Sequence, residues 1–341
     1  QKTAYEIVSR DWSSDVCSSD LIEFVNGVAQ MAYVGAVPWH GLGKEVPADL
    51  TPEQMLEAAG LNWEVKKYPT FAVLDDNDPD SVIETGQSAL VRLSDKKMLD
   101  VVSDDWNPVQ NAEAFEFFNE FVMAGDMEMH TAGSLKDGQI VWGLAKIKES
   151  FELFKGDQID SYLLFSNFHK YGFSTDVRFT PIRVVCNNTL TLSLSSAVER
   201  MVKISHRKQF DPANVKGMLG IATDKLQKYK EMAQFLGSKK AKTESIVEYF
   251  ERIFPMNTTA KEKEEGKRSK NADIALSLLH TQPGAEYAEG TWWQPFNAVT
   301  FMTDHIVGRS TDTRLTSAWY GYNKGLKTKA LELAVEFAEA A

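Results

Sequence analysis

The segment MEMHTAGSLKDGQIVWGLAKI, residues 127–147, predicts two β-strands joined by a tight turn. The turn is Lys136-Asp137-Gly138, because an Asp-Gly pair between two apolar runs is a strong hairpin signal. The runs on either side have the length and the apolar content of strands. We therefore expect an antiparallel hairpin here and a fold built around a sheet.

A second hairpin is predicted where residues 89–93 and 98–102 flank the turn at residues 94–97. Other segments rich in aromatic and β-branched residues predict extended chain. They are residues 62–74, 158–165, 172–179 and 182–186. The acidic run at residues 75–80 contains a proline and is interpreted as a loop.

Helix signals begin at Thr51-Pro52-Glu53-Gln54, which offers an N-cap threonine, a proline in the first turn and a glutamine that can complete a capping box. Gly60 follows where a left-handed helix end is expected. Apolar periodicity predicts a second helix from Asn107 to Gly125. Later helices are predicted at residues 212–235, 242–254, 272–279, 296–306 and 324–341.

The order of these elements predicts an α+β fold. We expect residues 22–205 to form an N-terminal domain with a mixed, mainly antiparallel sheet and packed helices. Residues 206–341 are expected to form a mostly helical C-terminal region with a charged loop near residues 256–270. Residues 1–21 are interpreted as an artefactual or disordered leader, because residues 11–21 resemble a translated sequencing adapter.

Composition excludes several classes of protein. The 341 residues are 43% hydrophobic and 25% charged, which is typical of a globular chain. No apolar run reaches the roughly 18 residues that a membrane-spanning helix requires, so no membrane partner is expected. With Cys17 in the leader, Cys186 is the one cysteine left, which excludes an internal disulfide and favours a reducing, cytoplasmic location.

Signatures of catalysis and cofactor binding are absent from the sequence. The six histidines are scattered, without a zinc-binding spacing. The Gly-Leu-Gly-Lys run at residues 41–44 lacks the spacing of a phosphate-binding loop. Cys186 could be a nucleophile near His169 or His206, but its strand-like surroundings favour an inert core thiol. We therefore expect no cofactor, no metal and no catalytic residue, and we favour a protein that is not an enzyme.

Charge is distributed unevenly along the chain, whose net charge is −11. Residues 203–280 hold 16 Lys and Arg against 10 Asp and Glu, whereas the other residues hold 21 against 38. Such asymmetry is typical of nucleic-acid contact, although a solvated helical face is the ordinary alternative. Aromatic residues in the same half could stack on bases or serve as core anchors. The candidate nucleic-acid-binding residues are Lys203, His206, Arg207, Lys208, Lys239, Lys240, Trp292, Trp293, Arg309 and Arg314.

A second set of residues could form a small-molecule site or serve only the fold. Asn297 and Asp304 would share one helix face with Thr300 and Thr303, which suits either helix–helix hydrogen bonds or a sugar, phosphate or base. Turn formation and helix capping are the alternatives for the glycine-rich and Asn-Asn segments. The set comprises Trp39, His40, Asn187, Asn188, Asn297, Asp304 and His305.

Several short blocks, taken in order, resemble a known family. They are AYVG at residues 32–35, VPWHGLG at 37–43, PIRVVCNNTL at 181–190, GTWW at 290–293, NAVT at 297–300, DH at 304–305 and RLTSAW at 314–319. Together they resemble the phage- and plasmid-like family catalogued as domain of unknown function 932, over residues 31–341. The resemblance implies a protein of a bacteriophage, prophage or plasmid that acts in the cytoplasm of the bacterial host. It implies no established activity.

Three hypotheses for function follow. The first is a non-catalytic protein that binds single-stranded DNA in the recombination or replication of a mobile element. The second is a structural or regulatory protein that binds other proteins and forms homo-oligomers. The third is an enzyme of phage nucleic-acid metabolism with an unrecognised site. The charge asymmetry favours the first hypothesis, and the negative net charge gives some support to the second.

Overall fold

The computed structural model describes residues 23–25, 27–35, 43–148, 150–183, 188–189, 200–207, 221–256, 267–308 and 311–341. Strands dominate up to residue 204 and helices follow, so the predicted α+β class, with an N-terminal sheet and C-terminal helices, is confirmed. The leader, residues 1–21, lies outside the described residues, as does most of the charged loop predicted near residues 256–270.

The bounds of the elements are as follows. The strands are β1 Phe24–Val25, β2 Val28–Ala29, β3 Met31–Val34, β4 Lys44–Val46, β5 Val65–Asp75, β6 Asp78–Arg92, β7 Lys97–Ser103, β8 Met127–Leu135, β9 Ile140–Ile147, β10 Phe151–Phe154, β11 Asp157–Phe168, β12 Thr175–Arg183, β13 Asn188–Thr189 and β14 Arg200–Ile204. The helices are α1 Pro52–Ala58, α2 Asn111–Glu116, α3 Asn119–Met123, α4 Ile221–Ser238, α5 Thr243–Ile253, α6 Lys270–Leu278, α7 Trp293–His305, α8 Thr311–Tyr320 and α9 Tyr322–Glu339, with a short 3-10 helix at Ala285–Ala288.

The main sheet runs in the order β13-β12-β11-β9-β8-β3-β4, with β10 paired to β11 and β14 paired to β12. Neighbouring strands are antiparallel except β3 and β4, which are parallel. A separate sheet has the order β5-β6-β7. In the hairpin predicted at residues 127–147, Met127 pairs with Ile147 and Leu135 with Ile140, so β8 and β9 confirm that prediction.

The main sheet is covered on both faces. Residues 140–145 of β9 are all buried. On one face a Cβ added at Gly143 would lie 3.2 Å from the ring of Phe115, which belongs to α2. On the other face Trp142 meets Trp319 of α8, with ring centroids 5.0 Å apart. The sheet therefore lies between a helix of the N-terminal region and a helix of the C-terminal region.

The two regions also share a hydrophobic core. One cluster of buried residues includes members of the strands and of the C-terminal helices. Phe154 of β10 lies 6.1 Å from Trp293 of α7, and Tyr229 of α4 lies 6.3 Å from the same ring, measured between centroids. Packing therefore continues across the boundary that we placed after residue 205.

Helix α1 begins as its sequence predicts. Thr51 Oγ1 accepts a hydrogen bond from Gln54 N at 3.2 Å, and Gln54 Oε1 accepts one from Thr51 N at 2.9 Å, which completes the capping box. Gly60 follows the helix with a φ of 68°, the left-handed conformation expected at this point.

The helix expected from Asn107 to Gly125 has different bounds. It begins only at Asn111 and is divided into α2 and α3. The Asn107 N–H donates to the carbonyl of His206 at 2.7 Å, and the Val109 carbonyl accepts from Asn167 at 2.8 Å. Because these backbone groups bind other elements, residues 107–109 do not join the helix.

Two strand predictions also change. The run at residues 75–80 is not a loop, because Asp75 pairs with Asp78 and the turn consists of Asp76 and Asn77. The strands predicted at residues 172–179 and 182–186 merge into β12 as far as Arg183, since β11 pairs with it through Pro181 without a break. Helix α8 was not predicted.

Candidate functional site

Three turns meet at one end of the main sheet and of the β5-β6-β7 sheet. They join β6 to β7, β8 to β9 and β11 to β12. Lys97 Nζ lies 3.0 Å from Asp137 Oδ1, which links the first turn to the second. Lys170 Nζ donates to Gln139 Oε1 at 3.2 Å, which links the third turn to the second. These contacts place the side chains of all three turns on one surface.

Lysines and exposed aromatic rings occupy this surface. Tyr171 is 55% exposed and Phe173 is 45% exposed, and both lie in the turn between β11 and β12. The lysine–aromatic surface is defined as Lys96, Lys97, Lys136, Lys170, Tyr171 and Phe173.

Three of the four lysines of the lysine–aromatic surface have no ion pair with a described carboxylate, although Asp100 Oδ2 accepts a hydrogen bond from Tyr171 N at 2.8 Å within this surface. Asp137 is paired with Lys97, and Asp95 is paired with the buried Arg92. In the described part of the chain, no carboxylate forms an ion pair with the other three lysines, Lys96, Lys136 and Lys170. Three ammonium groups are thus able to bind an anion without first breaking an ion pair.

Phe173 is supported from below by the core. Its ring stacks on that of Phe168, with centroids 5.1 Å apart and planes inclined by 19°. Phe168 is 2% exposed and packs edge-on against Tyr320 at 5.3 Å. Lys170 Nζ lies 5.9 Å from the centroid of Phe173. Phe173 therefore packs on the core through Phe168 and remains 45% exposed, with a cation over its ring.

Arg92 ties two of the turns together beneath the surface. It is 1% exposed, with Nη1 at 2.5 Å from Glu23 Oε1 and Nη2 at 2.8 Å from Asp95 Oδ2. Burial lowers the pKa of Arg92, but its hydrogen bonds to Asp95 and Glu23 outweigh burial and raise the pKa overall. A Cβ at Gly138 would lie 2.6 Å from Arg92 Nη1, so the turn between β8 and β9 requires glycine there.

A buried polar layer continues below the third turn. His169 is fully buried, and its Nε2 lies 2.9 Å from Asn111 Oδ1, which also accepts from Asn167 Nδ2 at 3.4 Å. Burial, and after it the charges of His206 and Arg92, lower the pKa of His169 to about 3. His169 is therefore neutral at pH 7, and it positions the turn rather than binding a phosphate.

His206, a predicted nucleic-acid-binding residue, lies in the core. It is 2% exposed and stacks on Trp106 with centroids 4.0 Å apart. Burial lowers the pKa of His206 to about 4, although its hydrogen bond to the Asn107 carbonyl acts in the opposite direction. A neutral, buried imidazole cannot neutralise a phosphate, so we leave His206 out of the candidate site.

The described basic residues among the predicted set differ in their surroundings. Arg207 is exposed, and its Nε lies 3.1 Å from Asp105 Oδ2. Lys239 is half-buried with Nζ 5.4 Å from the centroid of Phe235, whereas Lys240 is exposed. Three further positions fall outside the described residues, namely the side chain of Lys203 and the whole of Lys208 and Arg309.

The predicted aromatic pair lies in the core of the helical region. Trp292 and Trp293 are each 1% exposed, and Trp292 packs against Phe337 at 5.1 Å between centroids. Because both indole rings are buried, neither has an exposed face on which a base could stack. Arg314 is 3% exposed, and burial lowers its pKa.

The predicted polar cluster is divided between buried contacts and undescribed segments. Asp304 Oδ1 lies 2.7 Å from Lys327 Nζ, a buried ion pair that joins α7 to α9. Asn297 Nδ2 donates to the carbonyl of Trp293 at 2.7 Å, and His305 is half-buried. The remaining positions of the cluster are outside the described residues: Trp39, His40, Asn187 and the side chain of Asn188. Cys186, considered above as a nucleophile or a core thiol, also lies outside them.

The candidate site differs from the one that the sequence suggested. Lys96 and Lys136 lie in turns that were predicted, but no pattern related those turns to each other. The clearest signal that we missed is Lys170-Tyr171-Gly172-Phe173, where a lysine precedes two aromatic residues in a turn between strands. That signal is local and could have been found by requiring lysine and aromatic residues together.

The described ranges hold neither a cluster of metal ligands nor a helix suited to crossing a membrane. Within the described ranges, no three His, Cys, Asp or Glu side chains are grouped as ligands of a metal ion would be. No helix in those ranges is both long enough and apolar enough to cross a bilayer.

Comparison with known proteins gives one match. A family model described as domain of unknown function (DUF932) matches residues 98–319, which include two of the three turns and the last six residues of β7. No curated protein and no solved structure matches the chain.

Proposed function

The chain belongs to the DUF932 family, a domain of unknown function, and on that premise we propose that it is a non-catalytic protein that binds single-stranded nucleic acid through the lysine–aromatic surface. The observation that carries this proposal is the pair of exposed rings, Tyr171 and Phe173, among four lysines. The proposed setting is the recombination or replication of a phage or plasmid in the cytoplasm of a bacterial host, which the family resemblance supports.

Exposed rings favour unpaired bases over a duplex. Stacking of a base on an aromatic side chain contributes about 1–3 kcal/mol, and it requires a base face that a duplex does not offer. Tyr171 and Phe173 are separated by one residue, so two neighbouring bases can be served by one turn.

The lysines supply the electrostatic part of the binding. Neutralisation of about three phosphates by Lys96, Lys136 and Lys170 predicts a slope of roughly −2 for log K against log salt on a single strand. The net charge of −11 opposes the approach of a polyanion, so we expect measurable binding mainly at low salt.

The test is fluorescence anisotropy with a labelled oligothymidylate of about 20 nucleotides, titrated between roughly 25 and 200 mM salt. We expect Lys96→Glu with Lys136→Glu to weaken binding about tenfold or more and to flatten the salt slope. Lys239→Glu with Lys240→Glu changes the net charge equally at the surface that the sequence suggested, and it should have little effect. Tyr171→Ala with Phe173→Ala should weaken binding while leaving the salt slope unchanged.

Two results would refute the proposal. An equal loss in both lysine pairs would assign the effect to net charge rather than to this surface. If the wild-type chain does not bind at about 50 mM salt, single-stranded nucleic acid is not its ligand.

A further inference from the structure

The hairpin of β5 and β6 extends beyond the body of the protein. We call residues 70–85 the arm. Strand β7 pairs with β6 only from Gln87 to Arg92, so the arm is two-stranded. Its apolar side chains are exposed: Phe71 by 55%, Val73 by 56%, Leu74 by 67%, Val82 by 46% and Ile83 by 54%.

Apolar groups lie on both faces of the arm. Val73 pairs with Val82, which places these two side chains on one face with Phe71. Ala72 pairs with Ile83, which places them on the other face with Leu74. A two-stranded ribbon is at best marginally stable alone in water, and a large exposed apolar patch marks an interaction surface. We therefore expect the arm to be covered.

The edges of the arm are unsuited to strand addition. Pro69 of β5 lies just before the arm, and Pro79 of β6 lies between Asp78 and Val82, where the register of the ribbon shifts. Proline has no N–H to donate to a further strand and is a common device against edge-to-edge pairing. A partner is therefore expected to pack on the faces rather than to extend the sheet.

Charge identifies the partner. At the base of the arm Lys66 is exposed, and Lys67 is half-buried with its Nζ donating to the Asp104 carbonyl at 2.6 Å. The tip carries four exposed aspartates, Asp75, Asp76, Asp78 and Asp80. Base and tip are about 30 Å apart, given nine residues at about 3.3 Å each. Two such arms laid antiparallel about a two-fold axis bring each acidic tip to the lysines of the other, whereas a parallel arrangement would oppose aspartate to aspartate.

We propose that the occupant of the arm is the arm of a second copy of this chain, packed antiparallel through the apolar faces. This association does not depend on nucleic-acid binding, because the arm and the lysine–aromatic surface lie at opposite ends of β6.

The experiment is sedimentation velocity of the full chain over a range of concentrations. We expect a dimer that Lys66→Glu with Lys67→Glu weakens about tenfold or more, and that Asp75→Lys with Asp76→Lys weakens similarly. In the variant with all four changes the introduced lysines face the introduced glutamates while Asp78 and Asp80 remain, so it should regain part of the dimer lost in Lys66→Glu with Lys67→Glu. Lys96→Glu with Lys136→Glu serves as the control, with the charge change of the first variant at the far end of β6.

Each result decides the proposal. A wild-type chain that stays monomeric at the highest concentration overturns it, and so does a dimer that neither charge-reversed pair weakens. Failure of the fourfold variant to regain part of the dimer, with its circular dichroism unchanged, overturns the antiparallel arrangement. A variant in which a two-residue turn replaces residues 71–84 should be monomeric, and a surviving dimer would place the interface elsewhere.

Discussion

The two ends of β6 differ in what surrounds them. At the C-terminal end Leu90 is fully buried and Arg92 is 1% exposed, and the following turn is held by ion pairs and core contacts. At the N-terminal end Val82 is 46% exposed and Ile83 is 54% exposed, and this part of β6 pairs with β5 but not with β7. One strand therefore leads to the rigidly packed lysine–aromatic surface at one end and to the exposed arm at the other. Rigid support suits groups that must be positioned, and exposed apolar surface suits association.

The largest difference between the two ends should come from Arg92. Arg92→Met leaves the buried Glu23 without its cation, so the free energy of unfolding should fall by about 3–5 kcal/mol. Lys66→Met at the base of the arm removes an exposed cation and should change it by less than about 0.5 kcal/mol. Urea denaturation followed by tryptophan fluorescence measures both. Similar losses from the two changes would contradict the contrast between a buried and an exposed end.

Glycine substitutions sharpen the same comparison. Gly138→Ala forces a Cβ to 2.6 Å from Arg92 Nη1 at a φ of 91°, and we expect a loss of about 2–4 kcal/mol in the free energy of unfolding. Gly86→Ala at the base of the arm has a φ of 68° but meets nothing within 4 Å, so only backbone strain of about 1 kcal/mol applies. If Gly138→Ala cost no more than Gly86→Ala, the close packing of the turn on Arg92 would be wrong.

The buried His169, beneath the lysine–aromatic surface, predicts that the free energy of unfolding depends on pH. The pKa of His169 is about 3 in the folded chain and about 6.5 when unfolded, so between these values only the unfolded state binds the proton. Stability is therefore present above pH 6.5 and is lost as the pH falls, by about 1.4 kcal/mol per pH unit for this group. His169→Gln should reduce that slope in urea denaturation between pH 6 and 5 by roughly the same amount. A slope that does not change would place the proton on another group.

The smallest effect is expected in the arm itself. Ile83→Ala should change the free energy of unfolding by less than about 0.5 kcal/mol at concentrations where the chain is monomeric, because the residue is already 54% exposed. Leu90→Ala on the same strand removes a fully buried side chain and should cost about 2–5 kcal/mol. A large loss from Ile83→Ala would mean that the arm packs on its own chain.

Local elements were largely predictable, and relations between them were not. The capping box at Thr51 and the Asp-Gly turn after Lys136 depend on residues only a few positions apart, so the local sequence suffices to predict both. The helix expected from Asn107 was wrong at its start because His206, far along the chain, binds that backbone. Distant hydrogen bonds of this kind leave no periodic signal.

The candidate site shows the same division more sharply. Trp292 and Trp293 are aromatic residues of the kind that stack on bases, yet both are buried in the core. Large aromatic side chains contribute most to stability when they are buried. No sequence pattern predicted Tyr171 and Phe173 as site residues, yet their turn lies at the surface beside lysines from two other hairpins. Composition alone does not distinguish these two fates.

The amino-acid order alone determined the α+β class, the hairpins and the family, since each rests on short-range patterns of polarity, turn chemistry and characteristic blocks. Only the tertiary structure decided which lysines and rings share a surface, which histidines lose their charge, and which part of β6 stays uncovered. These properties depend on burial and on distances between residues remote in the chain, and a linear pattern specifies neither.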